Sequence, residues 1–205
     1  LDSVFGGLQG SSLESADFLD GQVDLGRDGR LNVDGLVIPG VGELSGSGET
    51  SGVLVNEGVL SPGNSPGIIN HNGDLTQSGT LLIELGGLDP GSGHDLLNVT
   101  GALTLGGELR IDVLEGFTPE LGQRFEFLTF GSLTGDFASF DGLDLGGGLY
   151  LKPVLTSDAY SLEVAQFFDG LFTFDAGQFQ DEVYALMSGR GTFSALSFSG
   201  EVHLF

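Results

Sequence analysis

Short runs of alternating apolar residues, separated by glycine-rich turns, constrain this sequence most strongly. Between residues 58 and 113, aliphatic side chains recur at every second position, as in Leu81-Ile83-Leu85 and Leu109-Ile111-Val113. Successive side chains of a β-strand point to opposite faces, so each run places its aliphatic side chains on one face. The Gly-Gly, Pro-Gly and Asn-Gly pairs between the runs are typical of turns. The pattern predicts an all-β protein of many short, stacked strands.

The same pattern divides the chain into three parts. We expect an irregular cap over residues 1–22, a β-solenoid body over residues 23–115 and an aromatic-rich β module or cap over residues 116–205. The second boundary follows the phenylalanines, because 14 of the 16 lie from Phe117 onward and suit a wider, less repetitive core. Two local predictions complete the division: a loop over residues 40–52, which contain few apolar side chains, and one short helix over residues 179–187.

The charge balance excludes some partners. The chain has 29 acidic against 6 basic residues, a formal net charge of -23, so its surface would repel nucleic acid and anionic membranes. No apolar run approaches the length of about 18 residues that a membrane span needs, so we expect no membrane insertion. An acidic, cysteine-free composition rich in glycine and serine favours a bacterial surface or secreted protein. Because residue 1 is leucine and no leader pattern precedes it, we expect a processed chain or a fragment.

Residues 58–140 resemble a segment of bacterial autotransporter passengers and related β-helical surface adhesins. Those families share a turn of the form G-x-L-x-P-G-N-S-P-G, then G-D-L-T…G-T-L…E-L, then D-x-L-x-V-T-G…L-G-G-x-L. The matching residues are Gly58, Leu60, Pro62 to Gly67, Gly73 to Thr76, Gly79 to Leu81, Glu84, Leu85, Asp95, Leu97, Val99 to Gly101 and Leu105 to Leu109. The resemblance implies a right-handed parallel β-helix that is exported to the cell surface. It names no catalytic residue, and we expect no translocator barrel of the family's kind within these 205 residues.

The sequence predicts no cofactor other than a candidate calcium ion. Asp24 and Asp28 lie in an acid-rich segment with Gly29, and calcium loops place oxygen ligands at such close spacing. Glycines at positions 26 and 35 occupy places where ligands would stand. Solvated carboxylates in Asp-Gly turns are the alternative interpretation.

An enzyme would need a cluster of catalytic side chains, and the sequence does not indicate one. Glu108, Arg110 and Asp112 share the outward face of one predicted strand, where β-helical polysaccharide lyases and hydrolases carry charged clusters. A solvated row of ion pairs is the simpler interpretation. His71, His94 and His203 are far apart, and we expect a surface position for His94, which lies in a predicted turn. We therefore predict no enzyme, with a polysaccharide-acting enzyme as a remote alternative.

The C-terminal segment offers a different interaction. A β-solenoid has open ends, whose unpaired strand edges must be capped or paired with another chain. The last residues are β-prone and low in charge, so they could add a strand to a neighbouring copy or fold onto their own module. The candidate self-association residues are Thr192, Phe193, Leu196, Phe198, Val202, Leu204 and Phe205.

Two functions remain open at this point. The first is a structural protein of an extracellular filament or surface assembly, a homopolymer joined by strand addition at its ends. The second is an adhesin passenger whose side faces bind glycan or a host surface protein. Self-association without ligand would favour the first, and a folded monomer that binds a partner would favour the second.

Overall fold

A computed structural model describes residues 22–32, 35–63 and 65–167, together with the backbone of two short strands at 172–173 and 201–202. The prediction of an all-β protein is confirmed, because every regular element among these residues is a strand. In chain order the strands are β1 (Gln22–Asp24), β2 (Gly29–Asn32), β3 (Leu36–Ile38), β4 (Glu43–Gly46), β5 (Gly48–Asn56), β6 (Val59–Pro62), β7 (Ile68–Gln77), β8 (Thr80–Leu85), β9 (Leu96–Leu105), β10 (Glu108–Val113), β11 (Arg124–Gly135), β12 (Ser139–Asp141), β13 (Asp144–Gly146), β14 (Leu149–Leu155), β15 (Ala159–Gln166), β16 (Phe172–Thr173) and β17 (Glu201–Val202).

The strands form two main sheets, between which the chain passes back and forth. A six-stranded sheet has the order β1-β4-β6-β8-β10-β12 and is parallel throughout. A larger sheet has the order β13-β14-β15-β11-β9-β7-β5-β2, and β3 also pairs with β5. From β2 to β11 this sheet is parallel, whereas β13, β14 and β15 pair antiparallel, so the sheet is mixed.

Parallel pairing in register stacks apolar side chains in columns. In the six-stranded sheet, Val23, Leu44, Leu60, Leu81 and Leu109 occupy equivalent positions on successive strands. None is more than 2% exposed, and one buried cluster joins them to aliphatic residues of the larger sheet. Each fully buried leucine stabilises the fold by about 1.5–3 kcal/mol relative to its exposed state. The core therefore lies between the two sheets.

A column of glycines runs across the long strands of the larger sheet. Gly52, Gly73, Gly101 and Gly131 lie on β5, β7, β9 and β11. A Cβ at Gly73 would collide with the carbonyl oxygen of Gly52, and one at Gly101 with that of Gly73. At Gly73, Gly101 and Gly131 the neighbouring backbone thus lies too close for any side chain, and Gly52 has φ of 106°, a conformation that favours glycine.

Antiparallel strands and aromatic side chains follow the parallel region. Phe127, Phe137 and Tyr160 form an aromatic cluster, with ring centroids between 5.5 and 6.5 Å apart. The Tyr160 hydroxyl donates a hydrogen bond of 3.1 Å to Asp136 Oδ1. Parallel pairing itself continues beyond residue 115, because β11 pairs with β9 and β12 with β10.

Three local predictions are wrong. The predicted loop over residues 40–52 contains β4 and the start of β5, and Leu44 is fully buried there. Asn72-Gly73, a typical turn pair, lies inside β7. The apolar runs at residues 97–99 and 103–105 belong to the single strand β9, which passes through Gly101. In each case pairing with neighbouring strands outweighs the local preference of small residues for turns.

Some predictions lie outside the described residues. These are residues 1–21 of the predicted cap over residues 1–22, and the helix over residues 179–187. In the part of the chain that the structure describes, no helix has the length and apolar character to cross a membrane.

Candidate functional site

The outward face of the larger sheet has a column of polar side chains, which we call the outer polar column. It comprises Arg30, Glu49, Asn70, Asn98 and Thr129, which are paired in register on β2, β5, β7, β9 and β11. All five are exposed or half-buried. The alternation of each strand places these side chains outward.

Direct contacts order part of this column. Asn98 Nδ2 donates a hydrogen bond of 2.8 Å to Asn70 Oδ1, and Asn98 Oδ1 accepts one of 2.7 Å from the Thr129 hydroxyl. Together the two bonds determine the orientation of the Asn98 amide, with Nδ2 toward Asn70 and Oδ1 toward Thr129. Arg30 Nε lies 3.2 Å from Glu49 Oε2, with the two side chains 73% and 49% exposed. The column therefore presents an ordered row of amide, carboxylate and guanidinium groups to solvent.

Two grooves lie along the column. The first, of about 830 Å³, contains Arg30, Glu49 and Asn70 of the column and is formed by the segments around residues 26–30, 47–49, 65–70 and 90–92. The second, of about 590 Å³, contains Asn98 and Thr129. Since Asn70 and Asn98 are hydrogen-bonded neighbours, the column leads from one groove to the other.

Charge in the first groove is balanced although the chain as a whole is acidic. Its charged lining residues are Arg27, Asp28, Arg30 and Glu49, two of each sign. The whole chain has a formal net charge of -23. This groove is accordingly a neutral, polar patch on a strongly negative surface.

Backbone strain occurs at the same groove. Ser65 has φ of 90°, the one positive φ of a non-glycine residue among the described positions, and it lines the first groove. Strained backbone conformations persist where the surrounding structure imposes them, and they are concentrated at functional sites.

A buried carboxylate connects two other segments of the chain. Asp95 is 0% exposed, and its Oδ1 and Oδ2 accept hydrogen bonds of 2.8 and 2.9 Å from the backbone N–H groups of Gly67 and Glu84. Burial raises the pKa of Asp95 to about 7, against the opposing effect of the two N–H donors. The contacts indicate a structural clamp between the turn at Gly67 and strand β8.

Both histidines among the described residues, His71 and His94, are buried. His71 Nε2 donates to the Asp74 carbonyl oxygen at 3.1 Å, so its Nδ1 accepts from the Thr50 hydroxyl at 2.8 Å. Burial lowers the pKa of His71, and the ring is neutral in this arrangement. The expected surface position of His94 is wrong: this residue is 1% exposed and its ring packs edge-on against Phe125. Tertiary contacts cover the loop that contains it.

The charged row on β10 has the predicted arrangement. Glu108, Arg110 and Asp112 alternate with buried or half-buried aliphatic residues. Arg110 lies 2.9 Å from Glu108 and 3.5 Å from Asp141, in partly exposed ion pairs that contribute little to stability.

Glu84 lies on β8, beside Asp112 of this row. Partial burial raises the pKa of Glu84, and the neighbouring carboxylate of Asp112 adds to the shift.

The calcium candidates remain a prediction. Asp24 Oδ1 accepts a hydrogen bond of 2.7 Å from the Gly26 N–H group, and Asp28 lines the first groove. Over residues 22–32, 35–63 and 65–167, no group of three or more histidine or acidic side chains is placed to hold a metal ion.

The self-association residues mostly lie outside the described residues. Thr192, Phe193, Leu196, Phe198, Leu204 and Phe205 are in that part. The backbone of Val202 belongs to β17 and pairs antiparallel with Phe172 of the same chain. This pairing agrees with the alternative stated above, in which the C-terminal segment folds onto the C-terminal module of its own chain.

Comparison of the chain with protein-family models finds no match, and neither does comparison with curated proteins. The resemblance to autotransporter passengers therefore stays a prediction.

The sequence interpretation missed the outer polar column. Its members belong to different strands, and the side chains in direct contact are 28 and 31 residues apart. Asp95 could have been noticed from the sequence, because it is the aspartate of the D-x-L-x-V-T-G motif shared with the autotransporter passengers. The residues beside it in the sequence did not indicate that it would be buried.

Proposed function

We propose that this chain is a non-enzymatic structural protein of the bacterial cell surface, a β-solenoid subunit of an extracellular filament or surface assembly. In this proposal the two sheets are faces of a right-handed parallel β-helix, and each passage of the chain between them is part of one coil. The in-register columns support it, because stacked coils place equivalent residues above one another. Side chains in contact across neighbouring coils are 21, 28 and 31 residues apart.

Self-association would use the ends of the stack. Strand β1 pairs with β4 along one edge, and among the described strands none pairs with its other edge. An edge strand presents backbone N–H and C=O groups that another strand can pair with. We propose that the segment from Thr192 to Phe205 provides such a strand to a neighbouring copy. A contact of this head-to-tail kind propagates into a filament when its rotation does not close.

The charge of the chain suits this role. At a formal net charge of -23, filaments would repel one another and remain laterally separate. The extracellular location rests on the acidic, cysteine-free composition and on the resemblance of residues 58–140 to exported passengers.

Electron microscopy tests the proposal directly. The full chain should form regular filaments, and deletion of residues 192–205 should abolish them. Leu88→Lys is the matched control, because this exposed loop side chain is remote in sequence from the segment and its exposed fraction is 52%. Elongated monomers from both the full chain and the deletion variant would contradict self-association. Compact, non-elongated particles would contradict the β-helix itself.

A second candidate function is an adhesin that binds glycan or a host protein through a side face. The observation that favours it is the outer polar column, which connects two grooves on the larger sheet. Binding to immobilised glycans or host proteins by monomeric chain would test it.

A further inference from the structure

We propose that the outer polar column binds an extended, uncharged polysaccharide whose chain runs across the strands from the first groove to the second. This inference gives a ligand class to the adhesin function suggested above, and it is independent of filament formation. Four observations carry it: the chemistry of the column, its length, its balanced charge and the strained residue beside it.

The functional groups of the column match those that recognise sugars. Guanidinium, carboxylate and amide groups are planar and offer paired donors or acceptors, which suit two adjacent hydroxyl groups of a sugar ring. The bonds made by Asn98 use one amide hydrogen and one oxygen lone pair, so its amide can still donate and accept. Pro66, Ile68 and Pro90 line the first groove and provide apolar surface for the C–H face of a sugar.

The length of the column favours a polymer over a single sugar. Neighbouring strands of a sheet are about 4.8 Å apart, so five strands extend over about 19 Å. The strands repeat the same outward position at each step, and a polysaccharide repeats its hydroxyl groups in a similar way. A chain aligned with the column could therefore contact Arg30, Asn70 and Asn98 with successive units.

The charge distribution favours an uncharged ligand. A polyanion would be repelled by a chain with formal net charge -23, whereas the first groove contains two cations and two carboxylates. Arg30 is engaged with Glu49, so it is not a free site for an anion. Hydrogen bonding rather than ion pairing would hold the ligand.

The strained residue provides further support. Ser65 has φ of 90° and lines the first groove, so the turn that contains it is held in an unfavourable conformation beside the proposed ligand.

Native affinity electrophoresis of the full chain is the first experiment. Gels would contain dextran, mannan, xylan, arabinogalactan or mixed-linkage β-glucan, and parallel gels would contain the polyanions alginate and hyaluronan. We expect retarded migration in at least one neutral polysaccharide and none in the polyanions. Retardation in no neutral polysaccharide, or in the polyanions alone, would overturn the proposal.

Titration calorimetry with oligosaccharides of the retarding polysaccharide then tests the length. Affinity should rise at least ten-fold from the disaccharide to the hexasaccharide, because a longer chain contacts more strands. Equal affinity for both would overturn binding along the column.

Variants locate the surface. The double variant Asn70→Ala/Asn98→Ala should lose roughly ten-fold or more in affinity, since each lost hydrogen bond contributes about 1 kcal/mol. Arg30→Ala should also weaken binding, and its side chain is 73% exposed, so loss of folding would not explain the effect. Arg110→Ala, on the six-stranded sheet, is the control and should bind normally. A loss of the same size in Arg110→Ala would place binding elsewhere.

The outcomes also separate this inference from the proposed functions. A chain that forms no filaments but is retarded in a neutral polysaccharide leaves the inference intact. A chain that binds a host protein, and no polysaccharide, overturns the inference and retains the adhesin function.

Discussion

At the scale of single residues, buried polar groups distinguish this protein from a simple aliphatic stack. Asp95 is the clearest example, because one carboxylate accepts N–H groups from Gly67, immediately before β7, and from Glu84, within β8. His71 and Thr50 form a second buried pair. Such groups are stable only with their partners present, and the partners lie on other strands.

The pH dependence of stability should reveal Asp95. In the unfolded chain its pKa has the ordinary value of 3.8, and in the folded protein it is about 7. Between these values the folded state binds a proton that the unfolded state has released, so the contribution of Asp95 to stability falls as the pH rises from about 4 to about 7. Urea unfolding of the wild type and of Asp95→Asn at several pH values would measure this contribution.

His71 acts in the opposite direction and must be separated from Asp95. Because burial lowers the pKa of His71 below 6.5, acidification below that pH charges the unfolded state first and reduces stability. The comparison with Asp95→Asn removes this effect, since both proteins retain His71. If the two proteins had parallel stability curves between pH 4 and 7, the raised pKa of Asp95 would be refuted.

At the scale of elements, the glycine column explains why the long strands are continuous. Alternating apolar runs predict strands such as β8 and β10, whereas β4 lies in a predicted loop and β9 passes through Gly101, where small residues indicate a turn. Close approach of neighbouring backbones is a property of the assembled sheet, and the sequence of one strand does not reveal it. Gly52 and Gly73 also have φ of 106° and 155°, values that glycine adopts without strain, so these positions suit glycine even inside a strand.

The glycine column yields a matched pair of variants. Gly101→Ala should reduce the free energy of unfolding by about 1–3 kcal/mol, because its Cβ would collide with backbone of the neighbouring strand. Gly106→Ala is the control: its Cβ would lie 3.4 Å from the nearest atom, the Gln77 carbonyl oxygen, and the change should be much smaller. Chemical denaturation measures both, and an equal loss in the two variants would count against the close approach at Gly101.

At the scale of the whole molecule, excess negative charge opposes the compact state. With a formal net charge of -23, the folded chain holds its carboxylates closer together than the unfolded chain does. Salt screens such repulsion, with a Debye length of about 10 Å at 0.1 M.

We therefore expect the midpoint of thermal unfolding to rise when sodium chloride is increased from 10 mM to 0.3 M. Circular dichroism would follow the transition, and sucrose at equal osmolality would control for effects other than screening. A midpoint that falls with salt would mean that attractive ion pairs, such as Arg30–Glu49, outweigh the repulsion.

The sequence by itself determined the strand class, the alternation of faces and the outward position of the charged row on β10. These properties depend on neighbouring residues, and the two-residue period of a strand makes them local. Only the tertiary structure decided which strands pair, that Asp95 and His94 are buried, and that Asn70, Asn98 and Thr129 form one column. Those properties depend on residues that loops of unequal length separate. The contacting pairs Thr50–His71, Asn70–Asn98 and Asn98–Thr129 have sequence separations of 21, 28 and 31 residues, so no fixed period in the sequence marks them.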